Sequence, residues 1–123
     1  MTEIIQSIHP YWVKKIFDGK KTKELRKSKP ANIQYPFKVY IYETKAGAGA
    51  VVGEYICKDI TTTDIAIIAE KGSCMPLENV QEYMGDSKIC AWDISEVKKY
   101  ENSLPLTYYG LLKAPQSWCY INI

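Results

Sequence analysis

The run Phe37-Lys38-Val39-Tyr40-Ile41-Tyr42 constrains the fold more than any other stretch of this chain. It alternates aromatic and aliphatic residues, a pattern that suits a pleated, largely buried strand. Its partner is expected over Val51 to Ile60, across the flexible connection Ala46-Gly47-Ala48-Gly49-Ala50, with Gly53 a bulge or a point of close backbone approach. That connection is no phosphate loop, because it lacks the GxxxxGK[ST] ending and leads into no helix. A hairpin this apolar commits the chain to a sheet-based core, and 123 residues suffice for one domain, 1–123, that buries it without a staple.

Other elements follow from periodicity and punctuation. Ile4 to Ile8 reads as an opening strand. His9-Pro10 then starts a helix, His9 as a capping or turn residue and Pro10 in the first turn, where proline is tolerated. Tyr11, Trp12, Val13, Ile16 and Phe17 recur at helical spacing, and Gly19 ends the helix as a left-handed cap. Thr22 to Arg26 is a second strand, with Thr22, Glu24 and Arg26 on one face and Lys21, Lys23 and Leu25 on the other. Lys27 to Pro36 is a loop, marked by Pro30, Asn32 and Pro36. Helices are expected over Asp64 to Glu70 and Pro76 to Met84, the second with Leu77, Val80, Tyr83 and Met84 on one face. Strands are expected over Ile89 to Val97 and Trp118 to Ile123, with turns at Leu104-Pro105-Leu106 and Ala114-Pro115. Five or six strands and two or three short helices make a mixed α+β chain, a small barrel with helices on its flanks. Tyr40, Tyr42, Trp92 and Trp118 are expected in the barrel core.

Charge narrows the function classes. No run approaches the roughly 18 apolar residues of a membrane span. The first residues show neither a basic nor an apolar leader region, so the expected location is the cytoplasm. Cys57, Cys74, Cys90 and Cys119 form no CxxC pair and His9 is far from them, so no metal site and no cofactor is expected. Net charge is only +2, but residues 14–29 hold eight of the sixteen basic residues against Asp18 and Glu24. A basic face on a nearly neutral protein is a footprint for a polyanion.

The sharpest functional signal lies inside that face, in Gly19-Lys20-Lys21-Thr22-Lys23-Glu24-Leu25-Arg26. A flexible turn, cations and one carboxylate suit an anionic or polar ligand better than a core. A lysine such as Lys21 can contact phosphate as a point charge where it stands at the mouth of a cleft, or act as a base or nucleophile if desolvated. Arg26 offers a bidentate fork for phosphate or a base edge, and Glu24 can accept from an exocyclic amine or shuttle protons. The bland alternative is that Glu24 and Arg26, two residues apart on one strand face, simply pair with each other. No Ser-His-Asp or Cys-His constellation is assembled.

The chain resembles the ASCH domain family, a branch of the PUA-like barrels, whose signature GxKxxExR is complete here as Gly19, Lys21, Glu24 and Arg26. The resemblance extends to the opening SIHPYWVKKIFDG, the central VYIYETK and VVGEYICKDI, and the closing APQSWCYI, and so covers essentially the whole chain. It implies a PUA-like pseudo-barrel of about six strands with two or three short flanking helices, and a cleft bordered by the signature. It also implies a role with RNA or a modified nucleoside or nucleotide, in RNA metabolism or in regulation of transcription or translation. Lys20, Lys21, Lys23, Glu24, Arg26 and Ser117 are then the expected binding residues. Some small ASCH proteins hydrolyse acetylated cytidine and others are described as ribonucleases; on that alternative Lys21 and Glu24 are catalytic. In the amidohydrolase type the position of Glu24 is threonine, so this chain departs from that pattern. A third reading is a regulatory module that binds a protein partner.

Overall fold

The computed structural model describes residues 2–122. The chain runs β1 (Thr2–Ile8), α1 (Pro10–Phe17), β2 (Lys23–Arg26), β3 (Phe37–Glu43), β4 (Ala50–Cys57), β5 (Ile60–Thr63), α2 (Ala66–Glu70), α3 (Leu77–Met84), β6 (Ile89–Asp93), β7 (Ser95–Leu104), a 3-10 turn (Leu106–Tyr109) and β8 (Trp118–Asn122). The expected last residue of the final strand, Ile123, lies outside the described residues.

The strands form two sheets, β7-β4-β3-β1-β8 and β2-β6-β5, so the expected pseudo-barrel is two facing sheets not closed into one another. Strand number is eight because two apolar runs break. The run expected as one strand over Val51 to Ile60 splits at Lys58 and Asp59, handing the chain from the five-stranded to the three-stranded sheet. Ile89 to Val97 splits at Ile94 and hands it back, with Glu96 in the left-handed region at φ 47° just beyond. The β3–β4 hairpin pairs as expected, with a register shift after Ile41. Gly53 is a point of close approach: a Cβ there would lie 2.5 Å from the Lys98 carbonyl oxygen and 2.7 Å from the Phe17 ring.

Three apolar clusters follow from this arrangement. Between the sheets lie Ile4, Ile8, Val13, Ile16, Val39, Ile41, Tyr55 and Trp92, the last wholly buried. On the far side of the small sheet, Leu25, Ile89 and Ala91 pack against Ala69 of α2 and Val80 and Met84 of α3. On the far side of the large sheet, Ile5, Tyr40, Tyr42 and Val51 are covered by Tyr109 and the segment that follows it. Trp92 lies in the core between the sheets as expected, whereas Tyr40 and Tyr42 are buried on the far side of the large sheet and Trp118 is only half-buried. Tyr83 departs from the expected buried face of α3, being 36% exposed.

Several acids in these layers hold their protons tightly. Burial pushes the Cys57 thiol up to about 12 from 9.0. Burial likewise raises Tyr55, and it raises Tyr40 and Tyr100 with further help from the carboxylates of Glu3 and Glu54 that they donate to. The folded chain keeps protons that the unfolded chain releases, so this stabilisation is complete below pH 9 and is lost as pH rises toward the folded values. Urea midpoints should therefore fall between pH 8 and pH 11, by a loss on the order of 2 kcal/mol. A flat profile across that window would contradict the burial of these groups.

Candidate functional site

The site begins at the end of α1. His9 caps the helix, its Nδ1 accepting from the Tyr11 amide at 3.2 Å. Gly19, at φ 76°, turns the chain, and the amides of Lys20 and Lys21 both donate to the Lys15 carbonyl, at 3.0 and 3.1 Å. That turn sends Lys21 inward, away from the open position expected for it at a cleft mouth. Its side chain is 1% exposed. Nζ donates to the Ser73 carbonyl at 2.5 Å, lies 3.2 Å from Glu24 Oε1 and sits 4.7 Å from the centre of the Trp12 ring.

Glu24 is the bridge of the cluster. On β2 it points into the space between the sheets while Leu25 points to the helices, as strand alternation requires. Its Oε1 faces Lys21 and its Oε2 accepts from Arg26 at 2.5 Å. Arg26 also donates to the Ser7 carbonyl at 2.8 Å and to Ser117 Oγ at 3.0 Å, so one guanidinium ties β2 to the end of β1 and the start of β8. Ser7 in turn donates through Oγ to the Pro115 carbonyl at 2.7 Å. Burial makes these charge-assisted bonds strong and makes any one of them costly to remove.

Of the expected binding residues, Lys21, Glu24, Arg26 and Ser117 therefore converge. Lys20 and Lys23 do not join them. Lys20 is exposed, and Lys23 pairs with Asp93 at 3.4 Å on β6. Sequence reasoning missed the segment Gly72-Ser73-Cys74, which docks on the signature through main-chain groups: the Gly72 carbonyl accepts from the Thr22 and Lys23 amides at 2.8 and 2.9 Å. Main-chain acceptors leave no residue signature, although Gly72 at φ 78° marks the tight turn that presents them.

No protein-family model matches the chain, and no curated protein matches its sequence. Solved structures do match. The ASCH protein of Zymomonas mobilis aligns at TM-score 0.83 and 21% identity, over 98% of this chain and 87% of that one. Its tyrosine-to-phenylalanine mutant aligns at 0.83 and 20%, over 98% and 90%, and its serine-to-alanine mutant at 0.82 and 20%, over 98% and 88%. The chain has the ASCH fold.

On this ASCH fold the buried cluster has a more accessible neighbour. Lys27, next to Arg26 in the chain, sits 5.1 Å above the ring of Tyr83 from α3. The two line an open depression of about 410 Å³ together with Met75, Asn79 and Glu82. Burial raises the Tyr83 phenol, Arg26 pulls it back and Glu24 raises it again, so the depression lies within the electrostatic reach of the signature pair. Ser28 anchors the other end of this turn, its carbonyl accepting from the Trp92 indole at 3.3 Å and its hydroxyl from the Trp118 indole at 3.0 Å. The basic stretch is also thinner than its composition suggests. Lys14 pairs with Asp18, Lys23 with Asp93, and Lys21 and Arg26 with Glu24, while Lys15, Lys20, Lys27 and Lys29 have no carboxylate within 4.0 Å among the described residues. Nor do the described residues hold a group of three His, Cys, Asp or Glu side chains placed for a metal, or a helix long and apolar enough to cross a membrane.

Proposed function

We infer that the chain binds single-stranded RNA, or a nucleotide of it, at the depression beside the signature. The observation that supports this best is Lys27 lying over the exposed ring of Tyr83, immediately outside the cluster that fixes β2. An aromatic face beside cations suits an unstacked base and its phosphate. Asn79 adds a carboxamide able to read a base edge, and Lys20 and Lys29 add charge for the backbone. Lys21, Glu24 and Arg26 then act as the brace that holds this surface, with Ser117 oriented by Arg26. On the same reading the chain works in the cytoplasm, with the cysteines reduced.

A hydrolase centred on Lys21 and Glu24 is less well supported. Its substrate would have to reach an ammonium that is 1% exposed and already bonded to Ser73 and Glu24. A partner-binding module would dispense with nucleic acid altogether and would ignore both heparin and oligonucleotides.

Fluorescence anisotropy with a labelled single-stranded RNA oligonucleotide, repeated over a salt series, tests the RNA reading. Tyr83→Ala should weaken binding by the ~1–3 kcal/mol typical of one base–aromatic stack. Lys27→Ala should weaken it for all sequences alike and lower the slope of log K against log salt by about 1. Binding that ignores salt, or that survives both substitutions unchanged, would overturn it.

A further inference from the structure

A second concavity lies away from the signature, where residues 32–36 meet the starts of β1 and β3 and the end of β4. Its volume is about 700 Å³, inside the range of roughly 300–1,000 Å³ common for small-ligand pockets. Phe37 and Ile56 supply apolar wall, Asn32 and Gln34 supply carboxamides, and Glu3 and Lys38 supply charge. It shares none of these residues with the cluster around Glu24.

The telling group is Glu3. It is 9% exposed. Its Oε1 accepts from the Tyr40 hydroxyl at 2.9 Å, and among the described residues no Lys, Arg or His nitrogen lies within 4.0 Å of its carboxylate. Lys38, the cation on the same wall, is already matched by Glu54 at 3.3 Å. With Lys38 matched by Glu54 from outside the groove, the Glu3 charge is left without a countercharge among the described residues. A carboxylate this buried is stabilised by a countercharge, and a strand-borne glutamate held by a neutral phenol presents one side of its carboxylate for it. Burial and the Glu3 carboxylate both raise the Tyr40 phenol, which keeps it a donor and Glu3 the acceptor.

We propose that this groove binds an organic monocation, an amine or amidine on a flat or apolar body, with Glu3 as its anionic partner. The carboxamides of Asn32 and Gln34 meet the polar edge of such a ligand, and Phe37 and Ile56 meet its body. The occupant is a small molecule of one charge, since a dication would leave excess positive charge beside Lys38.

Amide chemical shifts of the full chain during titration with benzamidine provide the test, with neutral benzamide and anionic benzoate as comparisons. Benzamidine should give saturable shifts at Glu3, Asn32, Gln34 and Lys38 below about 10 mM, and the other two compounds should not. Glu3→Gln, nearly isosteric, should weaken benzamidine about tenfold or more, the size of a charged hydrogen bond. Ile56→Lys, which places a cation in the groove, should abolish binding by a route that leaves Glu3 in place. RNA binding by Glu3→Gln should match the parent, so this proposal and the RNA reading fail separately. Equal shifts from benzamide, shifts elsewhere on the chain, no saturation, or benzamidine binding that survives both substitutions would each overturn the proposal.

Discussion

Glu24→Ala should cost about 3–5 kcal/mol of folding stability, the range seen when one partner of a buried ion pair is removed. Glu24 is the carboxylate that faces both Lys21, 1% exposed, and Arg26, 13% exposed, and alanine would leave both cations without it. Stability of a single domain is roughly 5–15 kcal/mol, so a large share of the folded population is at stake. Urea unfolding measures the loss. Part of it comes from the stranded Lys21 ammonium, which makes a second variant informative. In Lys21→Met/Glu24→Gln the ammonium is gone, while the glutamine oxygen can still accept from Arg26. That double variant should recover most of the stability. A Glu24→Ala protein within about 1 kcal/mol of its parent would show that the three side chains are not coupled as the geometry has them.

The same cluster shows what the sequence made legible. Glu24 and Arg26 were readable as a same-face pair because strand alternation is a local rule, and the structure joins them at 2.5 Å. Gly19 was readable as the helix end because φ 76° is a conformation that glycine adopts without strain. The burial of Lys21 was not readable. It stands in a run of exposed lysines, and what buries it is the Ser73 carbonyl, brought from 52 residues away. Trp12 and Glu24 were the available hints, but either is equally at home beside a surface lysine.

Sheet membership was hidden for a related reason. Val51 to Ile60 is continuously strand-like, and nothing in Lys58-Asp59 states that the chain there changes sheets. β7 was missed over most of its length because Lys98 to Ser103 is polar. It is an edge strand with exposed side chains, and edge strands carry charge that blurs the alternation. The depression at Lys27 and Tyr83 joins a loop to a helix, and the helical periodicity of α3 placed Tyr83 on its buried side. Only the seat of α3 on the small sheet decides otherwise.

Trp92→Ala should be the other large loss, about 3–5 kcal/mol for truncating a fully buried tryptophan. Trp92 is 0% exposed, packs edge-on to Phe37 at 5.9 Å and against Trp118 at 5.7 Å, and lies opposite both Glu24 and Ile60 in the small sheet. It therefore ties the apolar core to the strand that carries the charged cluster. Its indole nitrogen also holds the Ser28 carbonyl, one residue from Lys27. Trp92→Phe keeps most of the volume and loses that bond, so it should be milder in urea yet still loosen Lys27 and weaken RNA binding. An intact RNA affinity in Trp92→Phe would mean that Trp118, through its own bond to Ser28, holds the turn alone. Because Glu24 and Trp92 are direct cross-strand neighbours, their losses should not add. A double-mutant cycle between them should give a coupling of at least ~0.5 kcal/mol, and strict additivity would mean that the core and the charged cluster stand independently.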